Sequence, residues 1–173
     1  MNSFNTLALA SGMGALAGLR TFTPPAVVSQ AARHSLIPLR RSRLHFLRSS
    51  AAANITTALA IGELVADKLP AMPSRLDVGP LIARTVSGAI CGTAIAAGRR
   101  GSAKTIAAGA VLGGFAAIAG ASVGYYVRRQ LSMKLNVPDP AVAVVEDMLA
   151  VGGAVVMVSR CASMKSFLTR GMV

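Results

Sequence analysis

The stretch Ile61-Gly-Glu-Leu-Val-Ala-Asp-Lys-Leu-Pro70 closes an apolar run that begins at Ala51. Glu63 and Asp67 are four residues apart, which on a helix places them one turn apart on the same face. The preceding Ala51-Ala-Ala-Asn-Ile-Thr-Thr-Ala-Leu-Ala-Ile61 has the composition of a membrane helix. An Asp at the centre of such a helix costs roughly 2.5–3.5 kcal/mol on the translocon scale. Side chains placed at that cost face a partner or a water-filled cavity rather than lipid. A second acidic pair, Glu146-Asp147, occurs in the last apolar run, and Arg20 interrupts the first. The chain therefore reads as helices arranged around a polar set.

Composition supports that reading over the length of one domain, residues 1–173. Apolar residues make up 53% and charged residues 14%, where a soluble domain carries about a quarter charged residues. Mean hydropathy is +0.58, and Ala and Gly dominate the apolar part, which favours close helix packing over a bulky soluble core. The expected fold class is all-α, a polytopic membrane helix bundle. The net charge of +12 invites a nucleic-acid reading. Against it, there is no Trp, and only Tyr125 and Tyr126 could offer phenolic stacking. Basic residues collected in cytoplasmic loops account for the charge without a nucleic-acid partner. Cys91 and Cys161 have no metal-ligand spacing and form no disulfide framework. Met1-Asn-Ser-Phe-Asn-Thr lacks the positive segment of a signal peptide, so the run after it is expected to persist as a helix.

Five spans are expected, at about 4–32, 51–69, 78–98, 104–127 and 140–159. The first is long and broken, because Pro24 and Pro25 remove two backbone donors just after Arg20. A plain proline kink and an unwound segment both fit, the latter only where protein or a wet cavity satisfies the backbone. Residues 33–50 hold Arg33, Arg40, Arg41, Arg43 and Arg48 with His34 and His45, and are expected in the cytoplasm. Neither His has the carboxylate or Cys neighbours of a zinc or proton-relay site. With alternating spans, the inside loops and C-terminal segment carry 11 basic residues and the outside set six: Lys68, Arg75, Arg84, Arg128, Arg129 and Lys134. The bias predicts the N-terminus outside and the C-terminus inside.

Gly14 and Gly18, Gly88 and Gly92, Gly109 and Gly113, and Gly120 and Gly124 show Gly-x-x-x-Gly spacing. Missing side chains let helices approach closely, so tight packing within the chain is expected, with homo-oligomers as a further outcome. An inverted repeat is also suggested. Helices containing Gly14 or Gly109 are each followed by one with an acidic pair, and five alternating spans would run the two pairs in opposite senses.

Depth decides whether the charges could meet. At 1.5 Å per residue, Glu63 lies roughly 18 Å above the inner surface and Glu146 roughly 21 Å. Arg84, six residues into the third span, lies about 9 Å below the outer surface. Four carboxylates (Glu63, Asp67, Glu146, Asp147) facing Arg20 and Arg84 leave two surplus negative charges if all are ionised. Such a surplus could take up protons or a cation. These six residues are the candidate binding site, and a cation- or proton-coupled transporter or channel is the leading functional class. The competing class is a structural or lipid-associated protein: the charges fix helix register, and anionic lipid gathers at the Arg33 to Arg48 loop. A lipid-modifying enzyme using Glu63 and Asp67 as acid and base ranks lower. The chain has no Gly-x-Ser-x-Gly, His-Glu-x-x-His, phosphate-loop or Cys-x-x-Cys motif, and no cofactor is expected.

Gly18-Leu-Arg20 followed by Pro, Glu63-Leu-Val-Ala-Asp-Lys-Leu-Pro70, Arg84 opening a small-residue helix and Glu146-Asp147-Met-Leu-Ala150 together resemble domain of unknown function 4126. This is a bacterial family of small integral membrane proteins without an assigned activity. The resemblance runs from about Gly14 to Gly152, and Glu-x-x-x-Asp-Lys-x-Pro is its most specific part. It implies a bacterial inner membrane and no particular substrate. The Arg-rich loop and the Gly-dense fourth span are not matched to its pattern. More loosely, the Glu and Asp-Lys grouping is similar to the duplicated Glu-x-Gly-Asp-Lys motif of small cation/proton exchangers. Here the spacing differs and the second copy lacks the Lys. That similarity ranks cations ahead of anions.

Overall fold

A computed structural model describes residues 3–40, 42–67, 77–135 and 139–170. Lys68 and Pro70 of the quoted stretch, together with Arg41 and Arg75, lie outside the described residues. The elements are α1 (Ser3–Leu19), α2 (Thr23–Arg33), a short 3-10 turn (His45–Arg48), α3 (Ser50–Ala66), α4 (Val78–Gly98), α5 (Ala103–Leu135) and α6 (Asp139–Arg170). Among the described residues, three helical segments are long and apolar enough to cross a membrane: Val78–Gly98, Ala103–Leu131 and Ala141–Ala162. Ser50–Ala66 is apolar but shorter.

The first apolar run is two helices. Pro24 and Pro25 fall in the opening turn of α2, where a missing N–H costs nothing and the fixed φ suits a helix start. The chain reverses between Leu19 and Thr23, and α2 returns beside α1. The ends of the hairpin show this. Arg99, at the C-terminus of α4, donates from Nε to Thr6 Oγ1 of α1 at 2.9 Å, while neighbouring Gly98 packs on Ile37, just beyond α2. The start of α1 and the 33–50 segment thus share one end of the bundle. This corrects the expectation that residues 4–32 cross once and leave the N-terminus opposite that segment. Proline placement distinguishes a kink from a hairpin only once the partners of the break are known.

The helices that pack most extensively are α1, α4 and α5, and they do so through backbone. A Cβ added to Gly14 or Gly88 would overlap the Gly113 carbonyl, one at Gly92 the Gly109 carbonyl, and one at Gly120 the Ala15 carbonyl. Such contacts need residues without side chains. Gly14 meeting Gly113 and Gly18 meeting Ala117 and Ala121 show α1 and α5 running parallel. The suggested inverted repeat required them to run in opposite senses, and the hairpin at Arg20 removes that relation.

Local caps define the helix ends. Ser49 Oγ accepts from Ala52 N at 3.0 Å to start α3. At the end of α4, Gly101 N bonds Ala96 O and Arg100 N bonds Ala97 O, with Arg100 at φ 54°. Residue Ser35, φ 62°, closes α2 in the same way. This is the Schellman arrangement, whose left-handed position is usually glycine. A residue with a Cβ there costs about 1–2 kcal/mol.

Candidate functional site

The break between α1 and α2 lies where α1, α3, α4 and α6 bring their polar residues together. Backbone groups are left without intrahelical partners where helices start and stop, and side chains from two other helices satisfy five of them here. Glu63, in the last turn of α3, accepts from Thr21 N at 2.7 Å through Oε1 and from Phe22 N at 2.8 Å through Oε2. It is in effect an N-terminal cap for α2 supplied from another helix, and its charge is favoured by that helix end. Arg84, buried in α4, donates from Nη1 to Gly18 O at 2.5 Å and Leu19 O at 3.0 Å. It serves the C-terminal carbonyls of α1. Ser87, one turn on, donates from Oγ to Thr21 O at 2.6 Å.

The Arg20 side chain leaves the break and is 1% exposed. Its Nη1 lies 2.8 Å from Asp67 Oδ2 and its Nη2 lies 2.5 Å from Asp147 Oδ1, the latter an ion pair out of line for a directed hydrogen bond. Arg20 therefore ties the end of α3 to the start of α6. Arg128 of α5 completes the group, with Nη1 3.2 Å from Asp67 Oδ2 and 3.8 Å from Glu146 Oε2.

Each of the six candidate residues thus has a defined place. Arg20, Asp67, Glu146 and Asp147 form one ion-pair cluster, whereas Glu63 and Arg84 bind main chain at its edge. Sequence reasoning counted Arg128 only among the outside basic residues that set topology. The signal for it was present, since Gly113, Ala117, Ala121 and Gly124 continue at helical spacing to Arg128. With Arg128 included, three guanidinium groups face four carboxylates, leaving one surplus negative charge rather than two if all are ionised. Ser87 carried no signal, because a lone Ser in a small-residue helix is unremarked. Among the described residues no group of three or more His, Cys, Asp or Glu side chains could hold a metal ion.

No curated protein and no solved structure matches the chain. A family model does, that of Domain of unknown function (DUF4126), over residues 7–162. The residues that wrap the broken helix, from Gly18 to Asp147, all fall inside the match, and the chain belongs to the DUF4126 family.

Proposed function

We propose that this chain is a lipid-associated helical protein of the bacterial cytoplasmic membrane, in which the carboxylate–arginine cluster locks a broken helix and does not conduct ions. One observation carries the reading: the cluster's groups engage one another and the break itself. Both oxygens of Glu63 accept main-chain amides, and Asp67 Oδ2 is shared by Arg20 and Arg128. These carboxylate oxygens are already engaged by arginine or main-chain N–H groups, so an incoming cation would have to displace an existing partner. Cavities of about 1350 Å³ and about 500 Å³ are lined by other residues. The basic end, with the N-terminus, residues 33–50 and the end of α4, faces the cytoplasm in this reading.

A second reading, a cation- or proton-coupled site, draws on the single surplus negative charge and on the partial exposure of Asp67 and Asp147, 12% and 16%. Flux decides between them. Proteoliposomes are loaded with a panel of mono- and divalent cations under a pH gradient, and compared with protein-free vesicles. The lock reading expects no flux for any ion. Wild-type flux that is lost in Glu146→Gln, with the fold retained, would replace it with the second reading.

A further inference from the structure

The charges of this chain are separated end from end. All six acidic residues, Glu63, Asp67, Asp77, Asp139, Glu146 and Asp147, lie at the end of the bundle that holds the break. The opposite end has none, yet carries Arg33, Arg40, Arg43, Arg48, Arg99, Arg100 and Lys104. Basic loops are common on the cytoplasmic side of membrane proteins, and that alone identifies no site. Here, however, the basic end is concave. A cavity of about 1350 Å³ lies between the 35–48 segment and the facing ends of α4 and α5. Arg40, Arg43, Arg48 and Arg100 line it.

Its floor is apolar. Ala97 of α4 and Ile106, Ala107 and Ala110 of α5 form the wall, reaching about 10 Å along α5 from its start at 1.5 Å per residue. The first residue of α5, Ala103, also lines the cavity, so the positive end of that helix adds to the field. Two lining residues, Ser35 and Arg100, occupy left-handed backbone positions where glycine is the easy choice. In the second case Gly101 stands one residue too late, and the strained position carries an arginine to the rim. Strain of this kind is retained where the surroundings or a function hold it.

We propose that this cavity binds one anionic phospholipid. Its phosphate is held by Arg43, Arg48 and Arg100, and an acyl chain lies on the small-residue floor of α4 and α5. A phosphate matches the donor fork of arginine, and among the described residues no Asp or Glu stands at this end to compete. The apolar floor distinguishes a lipid from a free phosphate, which would need no such wall. The proposal rests on the lipid-associated reading above.

The test uses the full chain purified in detergent, and counts bound lipid by native mass spectrometry. It is titrated with phosphatidylglycerol and with phosphatidylcholine of identical acyl chains. Phosphatidylglycerol should be retained at least tenfold more tightly. Arg43→Gln, Arg48→Gln and Arg100→Gln should each weaken it by about fivefold, the order expected for one basic residue near an anionic lipid. Arg160→Gln removes the same charge from the same end but outside the cavity, and should change retention less than twofold. Ala107→Phe fills the floor and should lower lipid retention without altering charge, which keeps the test open if an arginine variant fails to fold. Equal retention of the two lipids, an Arg160→Gln effect as large as that of Arg48→Gln, or full displacement by millimolar inorganic phosphate would overturn the proposal. Flux measured on the same preparations separates the two failures: loss of lipid selectivity without ion flux removes the lipid site and leaves the lock intact.

Discussion

Glu63 holds the Phe22 amide at 2.8 Å across 41 residues of sequence. The two residues belong to different helices, and the bond exists because the chain must turn where Pro24 and Pro25 allow a helix to start but supply no donors. The acidic residue that most resembles a transport carboxylate in the sequence is thus a cap for the helix break.

Removing that cap tests its role directly. Glu63→Ala leaves the Thr21 and Phe22 amides without their acceptor, and an unsatisfied buried donor costs about 1–3 kcal/mol. Glu63→Gln retains one acceptor oxygen and turns an NH2 group toward the other amide. Thermal unfolding in detergent should therefore rank wild type above Glu63→Gln above Glu63→Ala. Equal Tm values for wild type and Glu63→Ala would rule out the capping role.

Arg20 joins α3 to α6 through Asp67 and Asp147. Losing one partner of a buried ion pair costs about 3–5 kcal/mol, because the other charge stays buried. Arg20→Met should sharply lower the yield of folded protein on size-exclusion chromatography. Adding Asp147→Asn to Arg20→Met should recover part of it by removing one uncompensated carboxylate. A double variant no better than Arg20→Met would show that this pair is not coupled.

The glycine contacts predict opposite outcomes for the same substitution. Gly14→Ala drives a methyl into the Gly113 carbonyl, and overpacking against backbone costs about 1–3 kcal/mol. Gly62 on α3 has nothing within 4 Å of an added Cβ, so Gly62→Ala should be neutral or stabilising by up to about 1 kcal/mol from helix propensity. The measurement is Tm in one detergent. Similar destabilisation by both would mean that helix approach at Gly14 is not limiting.

The hairpin has a topological consequence. Single cysteines at Ser3 and Ser49 should react with a membrane-impermeant maleimide from the same side of sealed vesicles, and a cysteine at Asp77 from the other. The native Cys91 and Cys161 are buried and serve as the background. Labelling of Ser3→Cys and Ser49→Cys from opposite sides would restore a single crossing by residues 4–32.

By itself the sequence determined the helical class of the protein and where charges interrupt its apolar runs. A chain with 14% charged residues and long Ala- and Gly-rich runs has to fold as helices that satisfy their own backbone. Charges within those runs must find partners, and this picked out Arg20, Glu63, Asp67, Arg84, Glu146 and Asp147 before any contact was known. Tertiary structure alone decided what each one touches. Composition and helical periodicity report which residues are out of place in lipid, but not whether a donor meets a side chain or a main-chain carbonyl. Arg84 reaches the Gly18 and Leu19 carbonyls, and Glu63 the Thr21 and Phe22 amides, because the chain reverses at Arg20. That reversal also runs α1 parallel to α5 and brings the N-terminal end of α1 to the basic end. Proline is compatible with both a kink and a hairpin, and the choice rests on groups 41 and 66 residues away.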